Sequence, residues 1–105
     1  MRDSVILKFI KKIRKVRNKI RTIYLFGSRA RRTPRPDSDY DLLLVVDESF
    51  TLSDKSKLYD AVMDVLLETG RLISLKIFKK QVFNRLKKMG TPFTQNILRE
   101  GIKIG

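Results

Sequence analysis

The sequence contains no cysteine, no histidine and no tryptophan in 105 residues. Without cysteine there is no disulfide framework, no thiolate nucleophile and no sulfur-ligated zinc. Without histidine, Ser-His-Asp and Cys-His catalysis, imidazole metal sites and His-dependent nuclease chemistry are excluded. Carboxylates, lysines, tyrosines and hydroxyls are what remains. Glycine and proline are sparse, at 5 and 3 residues, and 42% hydrophobic with 33% charged residues is the composition of a chain that folds. No apolar run approaches the roughly 20 residues that span a bilayer. The opening MRDSVILKFIKKIRK mixes charge into every turn, unlike a signal-peptide core. A cytoplasmic protein is expected, with residues 1–105 as a single domain, because a chain of this length builds one core of modest size.

Acidic residues are also few, and they are unevenly placed. The formal net charge is +13. Residues 1–36 hold 13 Lys and Arg against Asp3 alone, residues 37–70 hold 2 against 9 acids, and residues 71–105 hold 9 against Glu100 alone. The basic flanks attract phosphate-bearing ligands, nucleic acid or acidic proteins, and the acidic island is either a cation site or a solvated helix surface.

Apolar residues at three- and four-residue steps from Val5 to Ile20 predict an amphipathic, basic-faced helix from Asp3 to about Lys19. Ile23 to Phe26 reads as a short strand stopped by Gly27, and Asp39 to Val46 as a second, apolar on both faces after its start. Thr51 to Asp54 supplies cap candidates for a helix over about 54–69 that turns Leu58, Ala61, Val62, Val65 and Leu66 inward and ends at Gly70. Leu72 to Phe78 is a third strand. Val82, Phe83, Leu86 and Met89 mark a helix closed by Gly90, and Thr91-Pro92 opens a last one ending at Gly101, with 91–105 a docked tail. The order predicts an α/β (α+β) domain, a small mixed sheet of three to four strands with helices packed against it. The short 27–38 connection favours antiparallel pairing of the first two strands, and the following helix permits a crossover.

One segment carries chemistry: Gly27-Ser28, ten intervening residues, then Asp39-Tyr40-Asp41. Gly27 allows close backbone approach to a phosphate, and Ser28 adds hydroxyl and amide donors. Asp39 and Asp41, two apart at the mouth of a strand, share a face and offer oxygens to a hard cation such as Mg²⁺ bridging to substrate phosphates. Arg29, Arg31 and Arg32 are close enough in sequence to neutralise a polyphosphate. Taken alone, a Gly-Ser is an ordinary turn and an Asp pair an ordinary cap; their combination between two strands points to a site.

The run Leu25-Phe26-Gly27-Ser28-Arg29-Ala30-Arg31, with Pro36-Asp37-Ser38-Asp39-Tyr40-Asp41-Leu42-Leu43, resembles the minimal nucleotidyltransferases of the DNA polymerase beta-like superfamily. The resemblance extends to the element order and to the closing Thr91-Pro92-Phe93 and Ile97-Leu98-Arg99-Glu100-Gly101 stretches. It implies transfer of a nucleoside monophosphate, typically AMP from ATP, to a hydroxyl, with pyrophosphate leaving. By matching position, Gly27 and Ser28 would hold the β and γ phosphates, Asp39 and Asp41 would be catalytic and bind divalent metal, two Mg²⁺ by the family pattern, and Arg31 would be an auxiliary phosphate ligand. Small prokaryotic members commonly act as antitoxins beside a HEPN-type toxin, modifying its tyrosine, so such a partner protein is implied as well.

One position departs from the pattern. Active members usually carry a third carboxylate on the strand after the helix, and the aligned residue here is Ser74, with no acid from Gly70 through Arg99. Such a loss slows or abolishes transfer while sparing nucleotide binding. A catalytically weak or inactive binding antitoxin is therefore the second reading, and a basic nucleic-acid-binding module, motivated by the N-terminal charge but short of exposed aromatics for base stacking, is the third.

Overall fold

The computed structural model describes residues 3–30 and 39–104, with the backbone alone at Ser28. Asp3 caps the first helix, α1 (Ser4–Lys12), its Oδ1 accepting from the Val5 and Ile6 amides at 2.8 and 3.2 Å. The helix expected to reach Lys19 stops at Lys12, and Arg14–Lys19 continues as a 3₁₀ segment. Three residues per turn place Ile13 and Val16 above one another, and both are buried; the next residue in that row, Lys19, reaches across to Asp54.

β1 (Ile20–Phe26) begins three residues before the expected Ile23 and pairs antiparallel with β2 (Tyr40–Val46), with a bulge between Ile20 and Thr22. The inference from the short connection holds. α2 (Leu52–Thr69) then crosses over to β3 (Ile73–Lys79), which runs parallel to β2. Thr51 and Asp54 form a capping box that starts α2, and Gly70 at φ 72° ends it.

α3 (Lys80–Met89) and α4 (Pro92–Glu100) follow, separated by Gly90 at φ 65° and the Thr91 cap. Of the apolar residues that mark α3, only Phe83 is buried; Leu86 is half-buried, while Val82 and Met89 face solvent. The tail adds a strand. β4 (Ile102–Lys103) pairs with β1, so the mixed sheet has the order β3-β2-β1-β4.

The two faces of this sheet have separate cores. Leu42, Leu44, Val46, Ile23 and Leu25 meet α1 and α2, with Phe9, Leu58 and Val65 fully buried between them. Leu43, Val45, Phe83 and Ile97 form the other, ringed by Tyr24, Phe26, Phe78 and Phe93 under α3 and α4. β2 buries both faces, which accounts for its unbroken apolar run. Leu66, expected inward, is half-buried. No helix among the described residues is long and apolar enough to cross a membrane.

Candidate active site

The candidate residues converge where β1 ends and β2 begins. Gly27 follows the last residue of β1 with φ 71° and opens a 3₁₀ turn, Gly27–Ala30, in which Ser28 stands second. Asp41 is the register partner of Phe26, so it lies directly across from the end of β1. A Cβ placed on Gly27 would overlap the Asp41 carboxylate at Oδ2, so carboxylate and glycine backbone are in close approach. Glycine is required there twice over, by its positive φ and by the carboxylate.

Asp39 is exposed just before β2, and Asp41 is partly buried two residues later. The Asp41 carboxyl is pushed above its ordinary range, first by burial and second by the negative charge of Asp39, against the opposing charge of Lys76. Two like charges held this close are what a bound cation relieves. The donor set is made of hard oxygens, and Mg²⁺ characteristically takes one or two carboxylates plus substrate phosphates and water. The residues present fit such an ion. Among the described residues no third carboxylate joins the pair.

Where a third acid would complete the set, the register places Ser74: it is the Cα partner of Asp41 on β3. Lys76, two residues along and thus on the same face, is the cation that opposes Asp41 protonation. Sequence reading missed Lys76, although the strand period of two, counted from Ser74, would have found it.

Tyr40, between the two aspartates, points to the opposite face, where it is buried and donates its hydroxyl to Asp3 Oδ2 at 2.7 Å. Burial, then this bond, raises the Tyr40 phenol above its usual range. The Arg29 guanidinium lies over the Tyr40 ring at 4.4 Å. Arg29 is therefore held on the side of the sheet away from Asp41. Arg31 and Arg32 lie outside the described residues. The structure thus brings together Gly27, Asp41, Ser74 and Lys76, with Asp39 at the rim.

Residues 8–105 match the family described as Polymerase beta, Nucleotidyltransferase. The chain belongs to this nucleotidyltransferase family. Two proteins of Methanocaldococcus jannaschii, each carrying the name "Putative protein adenylyltransferase", are similar to this nucleotidyltransferase. One is 33% identical over 94% of this chain and 93% of its own length. The other is 34% identical over 73% of this chain and 83% of its own length. A chain from the crystal structure of a mutant toxin-antitoxin pair, MntA-HpeT, superposes with a TM-score of 0.56 at 18% identity, covering 92% of the nucleotidyltransferase and 69% of that chain. At that identity the likeness is one of fold, and it agrees with the mixed sheet and its flanking helices.

Proposed function

We propose that this nucleotidyltransferase moves AMP from ATP to the hydroxyl of a macromolecular acceptor, a tyrosine of a HEPN-type partner toxin, and so acts as its antitoxin. The observation that carries the reading is the close approach of the Asp41 carboxylate to the Gly27 backbone, with Asp39 adding charge beside it. This juxtaposes a place for phosphate with a place for cations. The adenylyltransferase names of the relatives support the donor, and the toxin-antitoxin structure supports the partner class.

In this reading Gly27 leaves room for the β and γ phosphates against the backbone, Ser28 adds donors, and Arg31 neutralises phosphate charge. Asp39 and Asp41 would hold Mg²⁺, which supplies positive charge to the α-phosphoryl group and polarises the attacking oxygen. The acceptor oxygen forms its bond to the α-phosphorus as the bond to the bridging oxygen breaks and pyrophosphate leaves; the hydroxyl proton is released to solvent, which reaches the exposed Asp39. The acceptor is held in trans.

A second reading, a binding antitoxin with little or no transfer, is favoured by Ser74 in the register position beside Asp41. One experiment separates the two: α-phosphate-labelled ATP with Mg²⁺ and the co-purified partner. Label on a partner tyrosine that vanishes in Asp39→Asn/Asp41→Asn supports the transferase. Magnesium-dependent ATP binding with no label, and label recovered in Ser74→Asp, supports the binding antitoxin.

A further inference from the structure

Beside Gly27 a cavity of about 150 Å³ opens between the end of β1 and α4, lined by Phe26, Gly27, Phe93, Asn96, Ile97 and Glu100. It lies on the same sheet face as Asp41, since Phe26 and Asp41 are paired and Phe26 packs in the core under α3 and α4. Phe26 and Phe93 meet edge to face with centroids 5.8 Å apart, and Ile97 is buried beneath them. Asn96 and Glu100 are one turn apart on α4 and share a face. The Asn96 Oδ1 accepts from Arg99 Nη2 at 2.7 Å, which leaves the amide hydrogens as the donors this side chain can offer a ligand. Glu100, the single acid in residues 71–105, offers only acceptors. A slot of mixed polarity, walled by two aromatic rings and carrying one side-chain donor and one side-chain acceptor on α4, is a site for a flat, hydrogen-bonding heterocycle.

We propose that this cavity is the nucleobase subsite and that Asn96 and Glu100 select adenine. The inference rests on the triphosphate being held at Gly27 and the aspartate pair. Phe26 and Phe93 cover the ring, the Asn96 amide donates to N7, and the Glu100 carboxylate accepts from the 6-amino group. Adenine presents a ring acceptor beside an amino donor on that edge, whereas guanine and hypoxanthine present a carbonyl oxygen in place of the amine. A carbonyl facing the Glu100 carboxylate sets two acceptors against each other, which a partly enclosed site penalises. The selectivity is a property of α4, not of the Gly-Ser and Asp motif, and it names a nucleotide that the motif leaves open.

The test is calorimetric binding of ATP, ITP, GTP and inorganic tripolyphosphate to the full chain in Mg²⁺. ATP is expected to bind about tenfold more tightly than ITP, from which it differs at the 6-position, and than GTP, the ratio given by roughly 1.4 kcal/mol. Glu100→Gln should collapse that ratio with tripolyphosphate affinity unchanged, and Phe93→Ala should weaken ATP and ITP alike. Both variants are checked for native melting, and the exposed Glu100 provides the arm least tied to folding. Equal affinities for ATP and ITP, tighter binding of GTP, or a preference that survives Glu100→Gln would overturn the inference while leaving triphosphate binding intact. A folded chain that binds neither tripolyphosphate nor any nucleotide overturns the phosphate reading of Gly27 as well.

Discussion

Gly27 and Asp41 constrain each other at the level of single atoms. Replacing Gly27 with Ala forces a side chain into the positive-φ region and onto the Asp41 carboxylate. The expected loss is roughly 1–2 kcal/mol in a urea titration, with tripolyphosphate binding lost alongside. Asp41 shows the opposite relation between stability and activity. A carboxyl whose pKa is raised by folding is destabilising once ionised, so its cost is present at neutral pH and disappears as pH falls below its unfolded value of 3.8. Metal-free Asp41→Asn should therefore melt higher than wild type at pH 7, the gap closing in acid, while AMP transfer drops by on the order of 100-fold or more. A lower melting temperature at pH 7 would contradict this account of Asp41. The Gly-Ser and Asp pair were legible because each residue type has few alternatives at its position; Lys76 was not, since its relevance comes from a strand register the sequence does not state.

At the level of the element, α2 is the best-specified segment. Thr51 Oγ1 accepts from the Asp54 amide at 3.1 Å, and Asp54 Oδ2 accepts from the Thr51 amide at 2.9 Å and from Lys19 Nζ at 2.8 Å. Lys19 first, then the Thr51 amide, holds the buried Asp54 carboxyl at a pKa of about 2. A carboxyl that ionises more readily in the folded chain stabilises it above the unfolded value of 3.8, and this contribution is lost as pH falls through about 2. The acid limb of a pH-stability curve should thus steepen across that window and flatten in Asp54→Asn. Thr51→Ala should cost about 1 kcal/mol in a denaturant titration by removing the cap. The cap residues were visible in the sequence; the lysine that locks them was not. Lys19 comes into reach because α1 gives way to a 3₁₀ segment, and apolar spacing at three and four residues does not distinguish one helix type from the other.

Across the whole molecule, the uneven charge resolves into a pattern. The ion pairs among the described residues join the basic first third to the acidic middle: Lys8 and Lys12 to Glu68, Lys19 to Asp54, and Arg21 to Asp47. Part of the island thus fastens α1, its 3₁₀ extension and β1 to the domain, while Asp39 and Asp41 stand at the candidate site. The tail closes the opposite edge. β4 pairs with Tyr24 and Leu25, and the Ile104 amide donates to the Ile23 carbonyl at 2.8 Å. Truncation after Gly101 should leave that edge of β1 unpaired, and light scattering should then show association where the full chain stays dispersed. A truncated chain that remains dispersed would mean the edge is protected by something other than β4.

The sequence by itself determined the alternation of helices and strands and the Gly27, Ser28, Asp39 and Asp41 motif; it favoured the antiparallel first pair and permitted the crossover by α2, which the structure realises. These follow from short-range rules, since side-chain period, caps and turn residues act within a few positions of themselves. The tertiary structure decided what depends on residues distant along the chain. It set Ser74 beside Asp41, brought Lys76 to that face, turned Arg29 onto Tyr40, made a strand of Ile102–Lys103 and formed the cavity of Phe26 and Phe93 next to Gly27. A two-residue strand has no period to read, and a cavity between β1 and α4 exists only once sheet and helix are packed together.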